Sequence, residues 1–434
     1  MKMANMDDYF DVVIVGTGAA GLYCTLNLPA RYRILLLTKQ KADESDSFLA
    51  QGGICMQHGE ADYRPFFDDT MRAGHYENNP ATVDLMIRSS NSIIRDLVRR
   101  GVRFARDDHG ALRFTREGAH SRPRILFHED ITGHEITQTL LNEVLRCENI
   151  ELREHTTLLD FFADASACGG VIAVGPDGEP RAIGAGAVVL ACGGIGGLYK
   201  NSTNFPHITG DAIAMALRHG VACEHLDYIQ IHPTTLYSHR KGRRFLISES
   251  VRGEGALLLD KNGNRFTNEL QPRDVVSAAI RAQMEKDGTD HVWEDMRPIG
   301  EAAIREHFPN ILERCEEEGY DPIHEPIPVV PAQHYFMGGI TADLSSRTAL
   351  PRLYACGETC CNGVHGRNRL ASNSLLESLV FARRAADDII FGKKHEPCRT
   401  ASVDVKPYED KEAVLDGYHK MVLKEIERMK MSHE

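Results

Sequence analysis

A run of buried-type residues, Phe10 to Val15, leads directly into Gly16, Gly18 and Gly21, and a helical pattern follows from Ala19 to Leu28. Glycines at that G-x-G-x-x-G spacing, between a strand and a helix, constrain the fold of this chain more than any other feature. The first allows a tight turn, the second lets the backbone approach a pyrophosphate, and the third lets helix and strand pack closely. The helix N-terminus then faces the phosphates. A second buried run from Arg33 to Leu37 completes a strand–helix–strand unit, which implies a parallel sheet. The segment Gly16, Thr17, Gly18, Ala19, Ala20 and Gly21 is thus the expected dinucleotide cradle.

The second strand does not end in the acidic residue that usually binds the ribose hydroxyls. Thr38, Lys39 and Gln40 stand there, and a lysine at that point also suits the 2′-phosphate of NADP. Two later stretches favour FAD. Val188 to Gly194 is an apolar strand ending in small residues, and Leu353 to Glu358 is another ending in Gly-Glu. A carboxylate there can hold ribityl hydroxyls. Three nucleotide-type strand ends, spread between residues 12 and 358, fit an extended FAD better than NADP.

At 434 residues the chain has roughly three domains' worth of length. From about Arg240 to Gln333 the texture turns more polar, with helical patterns at Arg273–Lys286 and Ile299–Glu318 and a Pro-rich run to Pro331. That is an inserted domain. Further helices are expected at Pro80–Arg100, Ile131–Leu145 and Ser372–Phe391. Short strands fill Thr157 to Gly186, and Val414, Leu415, Tyr418, Val422 and Ile426 give the tail one amphipathic helix. The excess of 62 acidic over 50 basic residues, a net charge of −12, excludes a general nucleic-acid binder. No apolar run approaches a membrane span, and Asp7 and Asp8 stand where a secretory leader needs basic then apolar residues. A cytoplasmic protein is expected. The 11 cysteines and the trio His120, His128 and His134 follow no metal-ligand spacing, so no metal is expected.

Several motifs then carry a resemblance. Ala50-Gln51-Gly52-Gly53-Ile54, His232-Pro233-Thr234, Arg252-Gly253-Glu254-Gly255-Ala256 and Pro272-Arg273-Asp274 resemble the flavoproteins of the succinate dehydrogenase and fumarate reductase superfamily. Thr115-Arg116-Glu117-Gly118, His334-Tyr335, Gly366-Arg367-Asn368-Arg369 and Ala371-Ser372-Asn373-Ser374-Leu375 are similar to its L-aspartate oxidase branch. The resemblance implies an α/β fold, in which a Rossmann-like FAD-binding domain (residues 1–240 and 336–395) is interrupted by an α+β capping domain (241–335). A short helical tail (396–434) follows, where family members usually carry three helices.

It further implies FAD-dependent oxidation of L-aspartate to iminoaspartate, with dioxygen or fumarate as electron acceptor. This is the first step of de novo NAD synthesis, and quinolinate synthase is the expected downstream partner. Cofactor contacts carried over are Lys39, Asp46, Ser47, Phe48, Leu49, Ala50, Gln51, Gly52, Gly53, Leu158, Asp211, Glu358, Ser374 and Leu375. Relatives with covalent FAD attach it to a histidine five residues before the Gln of A-Q-G-G. Asp46 stands there in this chain, so FAD is expected to be non-covalent.

For the substrate, the resemblance implies His232, Ser248, Glu249, His334, Arg369 and Ser372 as anchors, and Arg273 as proton donor or acceptor with His232 and His334 beside it. Glu117 is expected to meet the substrate ammonium, which succinate lacks. On composition alone each has a plain structural reading: a core His before Pro, a surface Arg369, Ser248 as a helix cap, Arg273 paired to Asp274 or Glu249, Glu117 paired to Arg113 or Arg116. His232, Arg273, His334 and Arg369 are expected to make the pocket locally positive inside an acidic chain.

Overall fold

The computed structural model describes residues 9–163, 167–239, 242–392 and 400–432. Its centre is a seven-stranded sheet. Tyr9–Val15 lies in the middle, parallel to Ile34–Leu37 on one side and to Pro180–Leu190 on the other. Ile150–Arg153 extends the sheet in parallel beyond Ile34–Leu37. Alternation along these strands fills both faces. Val12, Ile14, Ile34 and Leu36 enter one core, while Val13, Val15, Leu35 and Leu37 enter the other. A sheet buried on both sides reads as continuous apolar runs, which is why these strands were visible in the sequence.

Pro180–Leu190 is one strand with two kinds of partner. Its first half pairs antiparallel with Cys168–Val174, and its last residues, Val188 to Leu190, pair parallel with Leu353–Ala355. The apolar run near Val188 is therefore the end of a longer strand, and the chain returns to that end after the inserted segment. The ends of Tyr9–Val15, Pro180–Leu190 and Leu353–Ala355 come together at one edge. A Cβ on Gly16, whose φ is +113°, would lie 2.0 Å from the Ala191 carbonyl oxygen.

The inserted segment contributes to a second sheet, antiparallel and four-stranded, in the order Ile229–Leu236, Ile327–Phe336, Val292–Asp295, Leu257–Leu259. It carries its own core around Leu258, Ile280, Ile311 and Val329. Its edge strand, Ile229–Leu236, precedes residue 241, and residues 240–241 and 393–399, which hold the first and last expected junctions, lie outside the described residues, while the junction expected at 335/336 falls inside the strand Ile327–Phe336. Pro233 has no N–H to give, and the ladder shifts register between His232 and Thr235.

Most expected helices form close to their expected limits, including Pro80–Arg100, Arg273–Asp287 and Asn373–Phe391. One does not. The expected Ile299–Glu318 helix is two, Glu301–His307 and Pro309–Glu317. Pro309 lacks an N–H and disfavours helical geometry in the residue before it, and Phe308 stands at φ −130°, ψ 44°. In the tail, Lys411–Ser432 buries Leu415, Tyr418, Val422 and Ile426 on one face, against the Asp211–Arg218 helix. Among the described residues no helix is long and apolar enough to cross a membrane.

Candidate active site

A cavity of about 1680 Å³ runs from the joined strand ends to beneath the second sheet. Of the residues expected at cofactor or substrate, all but Gly21 and Phe48 line it. Gly21 stands behind the wall, where a Cβ would lie 1.9 Å from the Gly16 carbonyl oxygen, the close helix–strand contact its position calls for. Phe48 turns into the core, edge-on to His134.

At the strand-end half, Lys39 is fully engaged. Its Nζ donates to Asp211 Oδ2 at 2.7 Å and, at 3.2 Å each, to Thr209 Oγ1 and the His207 carbonyl. An ammonium has three protons, so none is left to read a 2′-phosphate. Burial pushes the Asp211 carboxyl up, but His419 and Lys39 outweigh it and hold it below the usual range. The Ala19 backbone N–H donates to Ser47 Oγ at 3.0 Å, tying the Asp46–Gly53 run to the first helix. Asp46 accepts from the Phe205 N–H on Oδ1, and burial raises its carboxyl to about 7. Glu358 accepts from the Phe336 N–H, and burial with the nearby Asp46 charge raises it to about 8. Ser45 Oγ, Asp46 Oδ2, Gln51 Oε1 and Thr157 Oγ1 line the same cavity, are buried, and have no partner among the described residues. Orphaned polar atoms in such number call for a large polar ligand.

The other half of the cavity gathers side chains from distant elements. The strand Ile229–Leu236 supplies Gln230 and His232, with shifts of register between Gln230 and Ile231 and between His232 and Thr235. His232 Nδ1 meets the Thr234 backbone, and its Nε2 has no partner among the described residues. His334, from Ile327–Phe336, packs edge-on to His232 at 5.1 Å and bonds Thr203 Oγ1 at 2.8 Å. Burial and the neighbouring Arg273 push both imidazoles well below the usual histidine range. A charge on either histidine is thereby disfavoured, and the positive charge expected of this pocket falls to Arg273 and Arg369.

Arg273 opens its helix, where the helix dipole disfavours a cation. Glu249 compensates, accepting from Arg273 Nε at 2.5 Å, while Arg273 Nη1 donates to Gln230 Oε1 at 2.9 Å. Of the two partners expected for Arg273, Glu249 is thus the one it bonds. Burial works against the Glu249 charge, but Arg273 and Arg252 hold its carboxyl below the usual range. Arg369 is buried, stacked over the Tyr335 ring at 4.3 Å, and donates to Ser374 Oγ and Gln230 Oε1. Burial and Arg273 lower it to about 10.

Glu117 pairs with neither Arg113 nor Arg116. It is 3% exposed, accepting from Ser372 Oγ at 2.6 Å and Ser250 Oγ at 3.0 Å. Burial and the adjacent Glu249 raise its carboxyl above the usual range. A Cβ on Gly52 would lie 2.4 Å from Glu117 Oε1, so glycine here leaves Glu117 its position. Ser372 holds its hydroxyl in place at φ +61°, a left-handed conformation that costs about 1–3 kcal/mol in a non-glycine residue. Ser248 both lines the cavity and caps the Glu249–Gly253 helix, so its structural and functional readings coexist.

Sequence reasoning missed Gln230 and Ser250. Gln230 Oε1 joins Arg273 to Arg369 while its Nε2 donates to Asn368 Oδ1 and the Arg369 carbonyl. Its signal was its position two residues before His232 in a strand.

Comparison with known proteins identifies this arrangement. Residues 11–375 match the family described as FAD binding domain. The L-aspartate oxidase of Clostridium perfringens is 48% identical over 380 residues, covering 87% of this chain and 86% of that protein. That of Clostridium acetobutylicum is 47% identical, with 87% of each chain covered. The chain belongs to the L-aspartate oxidase family. The fold is also that of a quinol fumarate reductase from E. coli, with a TM-score of 0.82, 31% identity, and 95% of this chain and 74% of that one covered. As in the rest of this family of FAD-binding domains, the cofactor is FAD, and the orphaned polar atoms around Ser45, Asp46, Gln51 and Thr157 fit it.

Proposed function

We infer that this chain oxidises L-aspartate to iminoaspartate. Bound FAD supplies a hydride acceptor. The chain's own residues must hold the dicarboxylate, orient its α-carbon and accept its protons. Arg369, His232, His334 and Ser248 are the anchors for the two carboxylates, with the neutral imidazoles acting as hydrogen-bond partners, while Ser372 gives its one hydroxyl proton to Glu117. Arg273 is the proton donor or acceptor beside these anchors, while the α-carbon itself gives up a hydride and the protons released come from the ammonium. The observation that carries the aspartate assignment is Glu117, a carboxylate fixed by Ser250 and Ser372 in the cavity wall. An ammonium gains a charge-assisted bond there, whereas succinate, with no ammonium, gains nothing.

The same reading makes dioxygen or fumarate the terminal acceptor, in the cytoplasm. Iminoaspartate passes to quinolinate synthase as the first step of NAD synthesis. FAD is held non-covalently, because Asp46 offers no imidazole for attachment. The alternative is a soluble fumarate reductase or succinate-oxidising flavoprotein, for which Glu117 has no use. Anaerobic addition of L-aspartate or succinate to the FAD-loaded protein tests this directly. Aspartate should bleach the flavin absorbance, and acid should release FAD into the supernatant. Bleaching by succinate alone refutes the assignment.

A further inference from the structure

We propose that Glu117 is the base that takes a proton from the substrate's α-ammonium, and that this proton leaves to solvent through a separate crevice that also reaches Glu117. This rests on the aspartate reading above and goes beyond a binding role. A neutral amine is needed before a hydride can leave the α-carbon, so each turnover must dispose of an ammonium proton inside a closed site.

Three observations support it. First, Glu117 stands in the wall between two spaces. It lines the cofactor cavity, and it lines a crevice of about 560 Å³ whose rim includes exposed Arg72, Arg116, Ser121 and Leu270. The floor of that crevice is buried, formed by Glu117, Gly118 and His120. Second, the two donors on Glu117 are hydroxyls, Ser250 and Ser372. A hydroxyl can turn and accept once the carboxyl is protonated, which an N–H cannot do. Third, the surroundings balance the group between its two forms. Glu249 and burial favour the neutral acid, while Arg273 favours the carboxylate, and the net direction is upward. The Cys55 thiol also lies near, with its own pKa pushed far up by burial.

His120 is not the next carrier. Arg124 Nη1 donates to its Nδ1 at 2.8 Å, so its Nε2 bears the proton and donates to the Ala371 carbonyl at 3.0 Å. Both ring nitrogens are occupied, and burial with the Arg124 charge lowers its pKa to about 4. The proton therefore passes from Glu117 to crevice water. In the first transfer an N–H bond breaks with its electron pair staying on nitrogen, and an O–H bond forms on Glu117. In the second that O–H bond breaks and the proton joins crevice water, from which it passes to bulk solvent.

The test is anaerobic stopped-flow reduction of the FAD-loaded enzyme by L-aspartate across pH. The wild type should be nearly flat near neutrality. Glu117→Gln should reduce at least about 100-fold more slowly at pH 7, then recover about tenfold per pH unit as free amine replaces ammonium. Glu117→Asp, which keeps a carboxylate, should restore the flat profile. Leu270→Trp, narrowing the crevice, should slow repeated turnover several-fold while sparing the first reduction. The change in flavin absorbance on adding succinate should survive in Glu117→Gln, which shows an intact folded site without relying on turnover. A Glu117→Gln loss that is equal at every pH makes Glu117 a binding group only and overturns the base. Unchanged turnover in Leu270→Trp overturns the exit route. Failure of the wild type itself to bleach with aspartate would instead reject the underlying function.

Discussion

Ser250 offers the cleanest way to perturb Glu117 without touching cofactor or substrate. It does not line the cofactor cavity, yet its hydroxyl donates to Glu117 Oε1 at 3.0 Å. Ser250→Ala removes one of the two donors on a buried carboxylate. Hydrogen bonds to charged groups are worth about 1.5–3 kcal/mol, and a 3.0 Å bond from a neutral hydroxyl belongs near the lower end. About 1.5–2 kcal/mol corresponds to roughly a 10- to 30-fold loss in kcat/KM. The loss should fall on L-aspartate, whose ammonium needs Glu117 charged and aimed. Reduction of fumarate by a reduced dye should change less than about threefold. Ser250→Thr, which keeps the hydroxyl, should recover most of the aspartate activity. Steady-state rates for both substrates on all three proteins decide the matter. Equal losses on aspartate and fumarate would mean that Ser250 only shapes the Glu249–Gly253 helix, and the link from Ser250 through Glu117 to substrate choice would be wrong.

Two other perturbations follow from single contacts. Gly52→Ala puts a methyl 2.4 Å from Glu117 Oε1, so Glu117 must swing away. Aspartate turnover should fall by at least about tenfold while the protein still folds, and an unimpaired Gly52→Ala enzyme would contradict the close approach. Lys39→Met strands Asp211, whose carboxyl is held below the usual range against its burial. A lowered carboxylate gives stability above the unfolded value of about 3.9 and loses it as pH falls through the folded value. Without Lys39 that margin shrinks, so the acid-unfolding midpoint should move to higher pH and FAD affinity should drop. An unmoved midpoint would show that His419 alone suffices.

What the sequence made legible follows from how local each signal was. The Gly16–Gly21 cradle, the strand beside it and the tail helix are written in spacing over a few residues, and they stand where expected. Reading one helix where there are two came from overlooking Pro309, itself a local signal, and the Tyr63–Ala73 helix and the strands Ile229–Leu236 and Ile327–Phe336 were not anticipated at all. The joining of Leu353–Ala355 to Val188–Leu190 could be guessed only because both ends look alike, not because pairing across more than 160 positions leaves a local trace. The catalytic neighbourhood was legible only through motif resemblance. Nothing near Glu117 in sequence announces Ser250 or Ser372, which lie 133 and 255 positions away. Gln230 was hidden for the same reason: its partners are Arg273 and Arg369.

The electrostatics of the site also differ from what its residue types suggest, and this has a measurable consequence. With both imidazoles neutral, the fixed charges beside the substrate are Arg273 and Arg369 against Glu249 and Glu117. Glu249 is already spent on Arg273 at 2.5 Å, which leaves Arg369 and a set of hydroxyls and imidazoles to hold two carboxylates. Recognition of this kind acts at contact range in a buried cavity. The net charge of −12 on the whole chain does not attract the substrate, and salt screens surface charges far more than buried ones. Raising the ionic strength from about 0.05 to 0.5 M should therefore change the KM for L-aspartate by less than about threefold, and any change should be a decrease as surface repulsion is screened. A tenfold rise in KM would place the attraction on the surface, around cations such as Arg72 and Arg116, and would remove Arg369 from its central part in binding.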